Sequence, residues 1–308
     1  MTDTRQEQDA QMNSSTIELA KRSQFRRRSL VLIATLLIAP AAASAHPSVS
    51  VVIDSRGSVF YSDLIHVWRI APNGTRSIAV RDVHTHELYL DSADNLYGEH
   101  LWYEGEASNK WGHRVWRRTA DGRISIVIPA TEGFLKNYSF VRDRTGSMYW
   151  AERGTATEIR RRSPDGRISV HSRGPFTDVG WIVSALDGTV YLIDSGALKR
   201  ITPNGFSTTL SRSIAARSVR KSNAGPHHSV MGLWLDRRGN VYVAVFGAAV
   251  VNRITPRGEV TTVVRSRAPW APTGGAFASN GDLWLMETTI TNKVRVRRIT
   301  PSGESQTF

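Results

Sequence analysis

Two short turn patterns alternate along this 308-residue sequence, and each occurs six times after the first 45 residues. The first is Asp-x-x-Gly followed by β-branched and aromatic residues, which is typical of a tight turn leading into a strand. Its clear copies are Asp54–Gly57, Asp143–Gly146 and Asp236–Gly239. In the other three copies Asp94 stands in the glycine position, or an alanine stands three residues before Gly188 and Gly281. A fixed repeat constrains the fold more strongly than any local signal does.

The second pattern is a Pro-x-Gly-like turn that follows a short Arg-Ile-like segment. Glycine and asparagine supply the positive φ that tight hairpins need, and proline presets the corner before them. The glycines of the six copies are Gly74, Gly122, Gly166, Gly205, Gly258 and Gly303. Two turns per unit predict four short strands, named A to D here, with tight turns joining A to B and C to D.

A unit of four strands and about 40 residues cannot bury both faces of its sheet alone. Radial stacking of six such units covers both faces and leaves only short, protected edges. A single open sheet of about two dozen strands would exceed the normal size of a sheet. We therefore predict an all-β fold, a six-bladed β-propeller with four-stranded blades, over residues 46–308.

Residues 1–45 have the features of a signal peptide. Three consecutive arginines end a polar stretch, an apolar run extends from Leu30 to Ala42, and Ala43–Ala45 forms a small-residue cleavage site. The apolar run is shorter than the roughly 20 residues that span a bilayer. We expect cleavage before His46, by the twin-arginine or the general secretory route, and no transmembrane span in the mature chain. The expected location is the periplasm or the exterior.

The sequence has no cysteine, which excludes disulfides, thiolate metal sites and a cysteine nucleophile. Without its first 45 residues the chain has 34 Lys and Arg against 23 Asp and Glu, so it remains strongly basic. Outside the cytoplasm such a chain meets anionic lipids, acidic glycans and carboxylates, and nucleic acid is not an expected partner. We expect a monomer that binds a small polar or anionic ligand, with an envelope glycan or a protein as a candidate partner.

The long departures from the repeat all fall on one side of the predicted ring, the top face. This face carries the B-to-C loops and the D-to-A connections. Because variable loops on a rigid scaffold commonly carry functional residues, we place the candidate site there. The departures are 101–113, 129–137, 211–228 and 266–272.

Residues able to bind metal or transfer protons concentrate on the same face. His84-Thr85-His86-Glu87 enters strand A of blade 2, and His227-His228 enters strand A of blade 5. Strand B reaches the top six residues after the glycine position of the first turn, and the residues there are Asp63, His100, Glu152, Asp194, Val245 and Glu287. By symmetry these positions could ring the mouth of the central channel. Such a ring would suit Ca²⁺, Mg²⁺ or Mn²⁺, or Zn²⁺ where several histidines converge.

These positions receive candidate roles. The catalytic candidates are His86, His100 and Glu152, the metal-ligand candidates are Glu87, Asp63, Asp194 and Glu287, and the ligand-binding candidates are Tyr138, Trp181 and His228. The alternative for the acids is structural, since an acid at the end of strand B can accept hydrogen bonds from the amides of the next turn. The alternative for the two aromatic residues is packing within the channel. The sequence contains no nucleophile elbow, P-loop or His-Glu-x-x-His helix.

Two parts of the sequence resemble NHL repeats. They are Gly239–Val245 with Val251–Ile254, and Gly281–Glu287 with Arg298–Gly303. These stretches are most similar to repeats of the streptogramin lyases and of the SMP-30/gluconolactonase-like propellers. The resemblance covers about residues 47–308 and implies the six-bladed fold for that range.

The resemblance to streptogramin lyases implies Mg²⁺ dependence, a glutamate at the end of a B strand and histidines near the starts of the late A strands. Glu287 matches the glutamate, but Met231 and Thr273 stand where the histidines are expected. This mismatch argues against the same reaction, although the corresponding pair in blade 2 is His86 and His100. The resemblance to SMP-30 implies acid and amide ligands around one divalent ion. The amides have no clear counterpart, and the matching acids are Glu152, Asp194 and Glu287.

The leading interpretation is an exported propeller that binds a small polar or anionic ligand at the top-face channel. It would act as a divalent-metal-assisted hydrolase, such as a lactonase, or as a lyase. A general base from His86, His100 or Glu152 would complete that chemistry. The alternative is a non-catalytic propeller that presents its loops and basic surface to a protein or an envelope glycan.

Overall fold

The computed structural model of the chain describes residues 47–105, 107–214 and 230–308, all within the compact unit His46–Phe308. The predicted signal segment and His228 lie outside the described residues. The described residues form six antiparallel sheets, five of four strands and one of three. In chain order the strands are β1 Val51–Ile53, β2 Val59–Ser62, β3 Val67–Ile70, β4 Arg76–Val80, β5 Leu88–Leu90, β6 Leu96–Tyr103, β7 Trp111–Arg118, β8 Ile124–Glu132, β9 Met148–Glu152, β10 Glu158–Arg162, β11 Ile168–Ser172, β12 Val179–Ser184, β13 Val190–Asp194, β14 Ala197–Ile201, β15 Ser207–Ser211, β16 Gly232–Leu235, β17 Val241–Val245, β18 Val250–Ile254, β19 Val260–Arg265, β20 Ala271–Phe277, β21 Leu283–Thr288, β22 Val294–Ile299 and β23 Ser305–Thr307.

Each sheet is one blade of a six-bladed β-propeller, which confirms the predicted fold. The first strands of the blades lie innermost, with β1 beside β5 and β20, and β16 beside β12 and β20. Blade 3 is the exception, because its inner strand is reduced to a single bridge between Arg142 and Met148. Next to that bridge, the Tyr149 amide donates to the Val141 carbonyl at 3.0 Å, so the segment still occupies the place of a strand.

Both predicted turn patterns are formed in all six blades. In the first turn, the amide at the glycine position donates to the carbonyl three residues earlier at 3.0–3.2 Å, and in the second turn at 2.8–2.9 Å. Asp94, which replaces glycine in blade 2, has φ of 58° and so adopts the left-handed conformation that glycine adopts in the other blades. The repeat therefore predicted the turns correctly even where its consensus residue is missing.

The aspartate that opens the first turn fixes the shape of that turn. In blade 3, Asp143 accepts hydrogen bonds from the amides of Thr145 at 2.9 Å and Ser147 at 3.1 Å. Its second oxygen accepts from the Tyr149 hydroxyl at 2.9 Å, and burial together with this bond raises the pKa of Tyr149 to about 12. The same arrangement of turn amides and a tyrosine hydroxyl occurs at Asp91 and Asp236.

Blade 2 differs from the expectation of a long B-to-C loop over 101–113, because both ends of that segment belong to strands. β6 and β7 continue to pair as far as Tyr103 and Trp111, so the connection spans only residues 104–110. Alternation with a period of two explains the difference, because it continues to the end of both strands and suits a paired hairpin. Part of the irregular segment predicted over 129–137 likewise belongs to β8.

The core lies between neighbouring blades. Apolar side chains from adjacent sheets form separate clusters, for example Tyr149, Ile159 and Leu192 between blades 3 and 4. Among the described residues, the sixth blade is built from the last four strands of the chain, and no strand of it comes from the N-terminal part. Packing closes the ring, and the buried cluster between blades 1 and 6 contains Val51, Val59, Tyr61, Ile70, Trp284, Met286 and Val296. No helix among the described residues is long and apolar enough to cross a membrane.

We expect Gly205→Ala to destabilise the fold more than Gly303→Ala does. Both glycines have positive φ, 88° and 90°, so alanine costs about 1 kcal/mol at either position. A Cβ at residue 205 would also lie 2.1 Å from the His171 carbonyl oxygen, whereas nothing lies within 4 Å at residue 303. The backbone must therefore move in the first variant, which we expect to raise its cost to about 2–4 kcal/mol. Urea unfolding of both variants tests this, and equal losses would contradict the role of the close contact.

Candidate functional site

A cavity of about 510 Å³ opens at the top face, where the upper ends of several blades meet. The lining includes two histidines and one acid, namely His86, His113 and Glu87, and the others are apolar or aromatic. These others are Pro47, Val49, Leu101, Tyr103, Trp111, Phe134, Trp181 and Met231. A cavity with this lining suits a largely apolar small molecule whose few polar atoms meet a few defined groups.

The long hairpin of blade 2 forms one wall of the cavity. Leu101 and Tyr103 on β6 and Trp111 and His113 on β7 are each two residues apart, so each pair lies on one face of the hairpin. The His113 Nδ1 lies 2.9 Å from the Gly133 carbonyl and donates to it, which leaves Nε2 of the neutral ring as an acceptor. The ring of Phe134 stacks on His113 and meets Trp111 edge-on, with ring centres 6.3 and 4.8 Å apart.

The segment 84–87 is held against β6 by the buried side chain of Glu99. This carboxylate accepts hydrogen bonds from the amides of His86 and Glu87, and only 6% of the residue is exposed. Thr85 supports it from the other side, because its hydroxyl donates to the Glu99 carbonyl. The hydrogen bonds from these backbone amides to Glu99 therefore fix the backbone that carries His86 and Glu87 into the cavity wall.

Glu87 is the unusual group of the site. Its carboxylate makes no hydrogen bond or ion pair with any described residue, although it lines the cavity. Burial, together with the nearby charge of Glu99, raises the pKa of Glu87 to about 7 against the opposing effect of His86. A carboxyl group with this pKa exists in both protonation states near neutral pH, which is the property that proton transfer requires.

His86 stands beside Glu87 and is oriented by Glu99. The His86 Nδ1 lies 3.4 Å from a Glu99 carboxylate oxygen, so the other ring nitrogen is left for exchange of a proton. The ring of His84 meets the ring of His86 edge-on, with centres 4.8 Å apart. Burial lowers the pKa of His84, as does the neighbouring His86, while Glu99 opposes this shift.

His100, a predicted catalytic residue, is near this group but does not line the cavity. Its Nδ1 accepts a hydrogen bond from the His84 amide at 3.2 Å, so the proton of the neutral ring lies on Nε2. Burial lowers the pKa of His100, and the charge of Arg114 lowers it further. Glu99, the preceding residue on β6, makes the contacts with His86 and Glu87 instead, because successive side chains of a strand point to opposite faces.

The acids predicted at the ends of the B strands are not brought together, and each has local partners. Asp63 accepts from the amides of its own loop and from the Trp68 indole at 2.7 Å. Asp194 accepts from the Lys199 ammonium at 2.6 Å and from two backbone amides, which hold its pKa below the usual range against the effect of burial. The remaining pairs are Glu152 with Arg160, and Glu287 with Arg295, Arg297 and Ser266.

These contacts bear on the metal site that the resemblance implied. In the described part of the chain, no three His, Asp or Glu side chains form a group able to hold a metal ion. The carboxylates of Glu152, Asp194 and Glu287 already have a lysine or arginine partner, so their negative charge is balanced. The described residues therefore do not fit a divalent cation.

The structure places the three predicted ligand-binding residues differently. Trp181 lines the cavity, and its indole donates to the Val230 carbonyl at 2.7 Å. Tyr138 is partly buried outside the cavity lining, with the Arg142 guanidinium 5.4 Å from its ring centre. His228 lies outside the described residues. The prediction missed Glu99 and the aromatic residues of the wall, of which Trp111 and Tyr103 show the period of two that could have identified them.

The fold and the cavity define the class of the protein, which is a six-bladed β-propeller with a ligand-sized cavity on its top face. Residues 142–291 match the family described as SMP-30/Gluconolactonase/LRE-like region. The resemblance predicted from the sequence is thereby confirmed. The match begins in blade 3, so it does not include His86, Glu87 or Glu99 of blade 2. No curated protein sequence matches the chain.

Solved structures of the same fold include three that illustrate the range of activities. Virginiamycin B lyase from Staphylococcus aureus is 18% identical, with 87% of this chain and 85% of that chain covered and a TM-score of 0.51. A putative gluconolactonase is 16% identical over 83% of this chain and 91% of that chain, with a TM-score of 0.55. The calcium-binding protein regucalcin from Agrobacterium tumefaciens is 15% identical over 78% and 82%, with a TM-score of 0.52. At these identities the likeness is one of fold.

We expect the stability of the protein to fall, relative to Glu87→Gln, as the pH rises from about 4.5 to 7. The folded state raises the pKa of Glu87 from 4.5 to about 7, so it binds the proton more tightly than the unfolded state does. This stabilisation is complete below pH 4.5 and is lost as the pH passes 7. Because Glu87 is partly exposed, we expect a change of about 1–3 kcal/mol, which the glutamine variant removes.

Urea unfolding at pH 5 and pH 8 measures this change. The exposed Glu259→Gln is the control, and its pH dependence should follow that of the parent chain. If Glu87→Gln and the parent chain lost stability in parallel between the two pH values, the raised pKa of Glu87 would be refuted.

Proposed function

We propose that the chain is a hydrolase or a lyase that cleaves the ester bond of a largely apolar small molecule in the top-face cavity. One observation carries the proposal, namely an unpaired carboxyl group with a pKa of about 7 in the wall of that cavity. His86 stands beside it with Glu99 behind the ring. The family match and the lyase and lactonase neighbours support chemistry of this class.

In the proposed reaction the ionised Glu87 acts as the general base. In hydrolysis it takes a proton from a water molecule, the water oxygen bonds to the ester carbonyl carbon, and the carbon–oxygen bond to the leaving group breaks. In elimination it takes a proton from the carbon adjacent to the one that bears the leaving oxygen, and a double bond forms between these two carbons as the carbon–oxygen bond breaks. In both cases protonated His86, oriented by Glu99, returns a proton to the leaving oxygen.

The lining of the cavity supports an apolar substrate rather than a polyhydroxylated one. A sugar lactone would lose the hydration of its hydroxyl groups against Leu101, Trp111 and Phe134, which offer few hydrogen-bond partners. An alkyl chain would instead gain from leaving water. For this cavity we therefore propose an apolar substrate in place of the small polar or anionic ligand expected from the sequence.

We therefore expect γ-nonanolactone to be cleaved with a kcat/KM at least tenfold above that of gluconolactone. The preference has two causes. The alkyl chain of γ-nonanolactone gains free energy when it leaves water, whereas the hydroxyl groups of gluconolactone would be buried without hydrogen-bond partners. Turnover in ¹⁸O-labelled water separates the two reactions, because hydrolysis incorporates one labelled oxygen into the product and elimination incorporates none. Preference for gluconolactone would overturn the assigned substrate class. Absence of turnover across aryl, alkyl and sugar lactones would favour the non-catalytic alternative.

On the preferred lactone we expect Glu87→Gln and His86→Ala each to lower kcat/KM about 100-fold or more, which is the usual contribution of a general acid or base. The acidic limb of the pH profile of the parent chain should have its midpoint near 7, where Glu87 ionises. Glu99→Gln should move this midpoint to lower pH, because the charge of Glu99 helps to raise the pKa of Glu87. Glu259→Gln, an exposed change far from blade 2 in sequence, should leave both rate and midpoint unchanged. A midpoint that stays fixed in Glu99→Gln would remove Glu87 from the role of base.

A further inference from the structure

Below the top-face cavity, the central channel contains a second cavity of about 240 Å³. Its wall is built from the innermost segments of all six blades, in contrast to the upper cavity. The two cavities share Val49, Glu87 and Trp181 in their walls, so they adjoin each other at the level of these residues. A ligand in the upper cavity can therefore extend one end into the channel.

Arg142 brings a positive charge into this channel without an acid to balance it. It lines the lower cavity and forms no ion pair with any described residue. Its guanidinium lies against the rings of Tyr89 and Tyr138, at 4.9 and 5.4 Å from their centres. The other charged residue of the lining is Glu87, and Arg142 is not among the groups that shift its pKa.

Arg142 also breaks the repeat at a position that is otherwise mostly apolar. The residue just before the first turn is Ile53, Leu90, Leu235 or Phe277 in four blades, and it is Arg142 in blade 3 and Ser184 in blade 4. Both polar exceptions line the lower cavity. The Ser184 hydroxyl, the Arg142 Nε and the Trp234 Nε1, all belonging to lining residues, have no hydrogen-bond partner in the described residues. Three neighbouring blades thus supply donors that lack acceptors.

We propose that the lower channel binds the carboxylate of a small amphipathic acid, with Arg142 as its main partner and the apolar part of the molecule in the cavity above. A guanidinium offers two parallel N–H groups in the geometry that a carboxylate accepts, and such charge-assisted pairs are strong where water is scarce. The apolar upper cavity accounts for the rest of the ligand, as the shared walls allow. The acid shares the upper cavity with the proposed substrate, but its binding needs Arg142 and not Glu87, so it can be tested apart from the proposed reaction.

The test is calorimetric titration of the full chain with octanoate and with 1-octanol, its uncharged counterpart, at pH 6. At this pH octanoate is ionised while Glu87, with its pKa of about 7, is mostly neutral. We expect octanoate to bind at least tenfold more tightly than octanol. Arg142→Gln should bring octanoate to the level of octanol and leave octanol unchanged, and Arg142→Lys should retain part of the preference because it keeps the charge but loses the paired donors.

Arg144→Gln is the matched control, since it removes the same charge two residues further on, from an exposed position in the turn. It should leave both affinities unchanged. Equal affinity of octanoate and octanol, or octanoate binding that persists in Arg142→Gln, would overturn the proposal. Should Arg142→Gln fail to fold, the comparison of Arg142→Lys with the parent chain still decides it, since an unchanged preference would leave the guanidinium without a role. Binding to Glu87→Gln should be retained, which separates this inference from the proposed reaction.

Discussion

Apolar packing between neighbouring blades is the interaction on which the rest of the structure depends. Each sheet has two apolar faces, and both leave water only when another sheet lies on either side. Closing the ring by packing between blades 1 and 6 brings the innermost strands of all blades around one channel. Residues as distant in sequence as Val49, Glu87 and Trp181 share a cavity wall for this reason. The site is thus assembled by the same contacts that form the core.

At one position in the repeat, blade 2 lacks the cation that three other blades carry. The position lies on strand C. It is opposite the residue of strand B that comes four places after the glycine position of the first turn. In blades 3, 4 and 6 the residue on strand C is a cation that binds the acid at the end of strand B, namely Arg160, Lys199 and Arg297. In blade 2 it is Trp116, which pairs with Gly98 and is buried. No cation is supplied there, so Glu99 binds backbone amides and His86, and Glu87 stays unpaired.

The sequence was sufficient for the fold because the turns that set it are local. Each turn is formed by residues within a few positions of one another. In blade 2, for example, the Asp91 carboxylate accepts hydrogen bonds from the turn amides and Asp94 adopts the positive φ. The site was predictable only in part. The sequence led to His100 rather than Glu99 as a site residue. Which of the two reaches segment 84–87 depends on which face of β6 packs against that segment, and the sequence pattern does not give this. Phe134 lies in a connection with no periodicity, so no pattern marks it. The pKa of Glu87 depends on the charge of Glu99, twelve residues further along the chain, and the pairing of β5 with β6 brings the two residues close together.

Because the candidate site lies on blade 2, the family match does not assign roles to its residues. Residues 142–291 span blades whose acids at the ends of their B strands, Glu152, Asp194 and Glu287, are bound to cations. The unpaired acid lies outside that range, on blade 2. In a propeller the upper ends of all blades face one mouth, so reactive groups can stand on any blade without a change of fold. A shared scaffold can therefore carry reactive residues on different blades, and the assignment of Glu87 and His86 proposed above rests on the electrostatics of blade 2 and not on the family match.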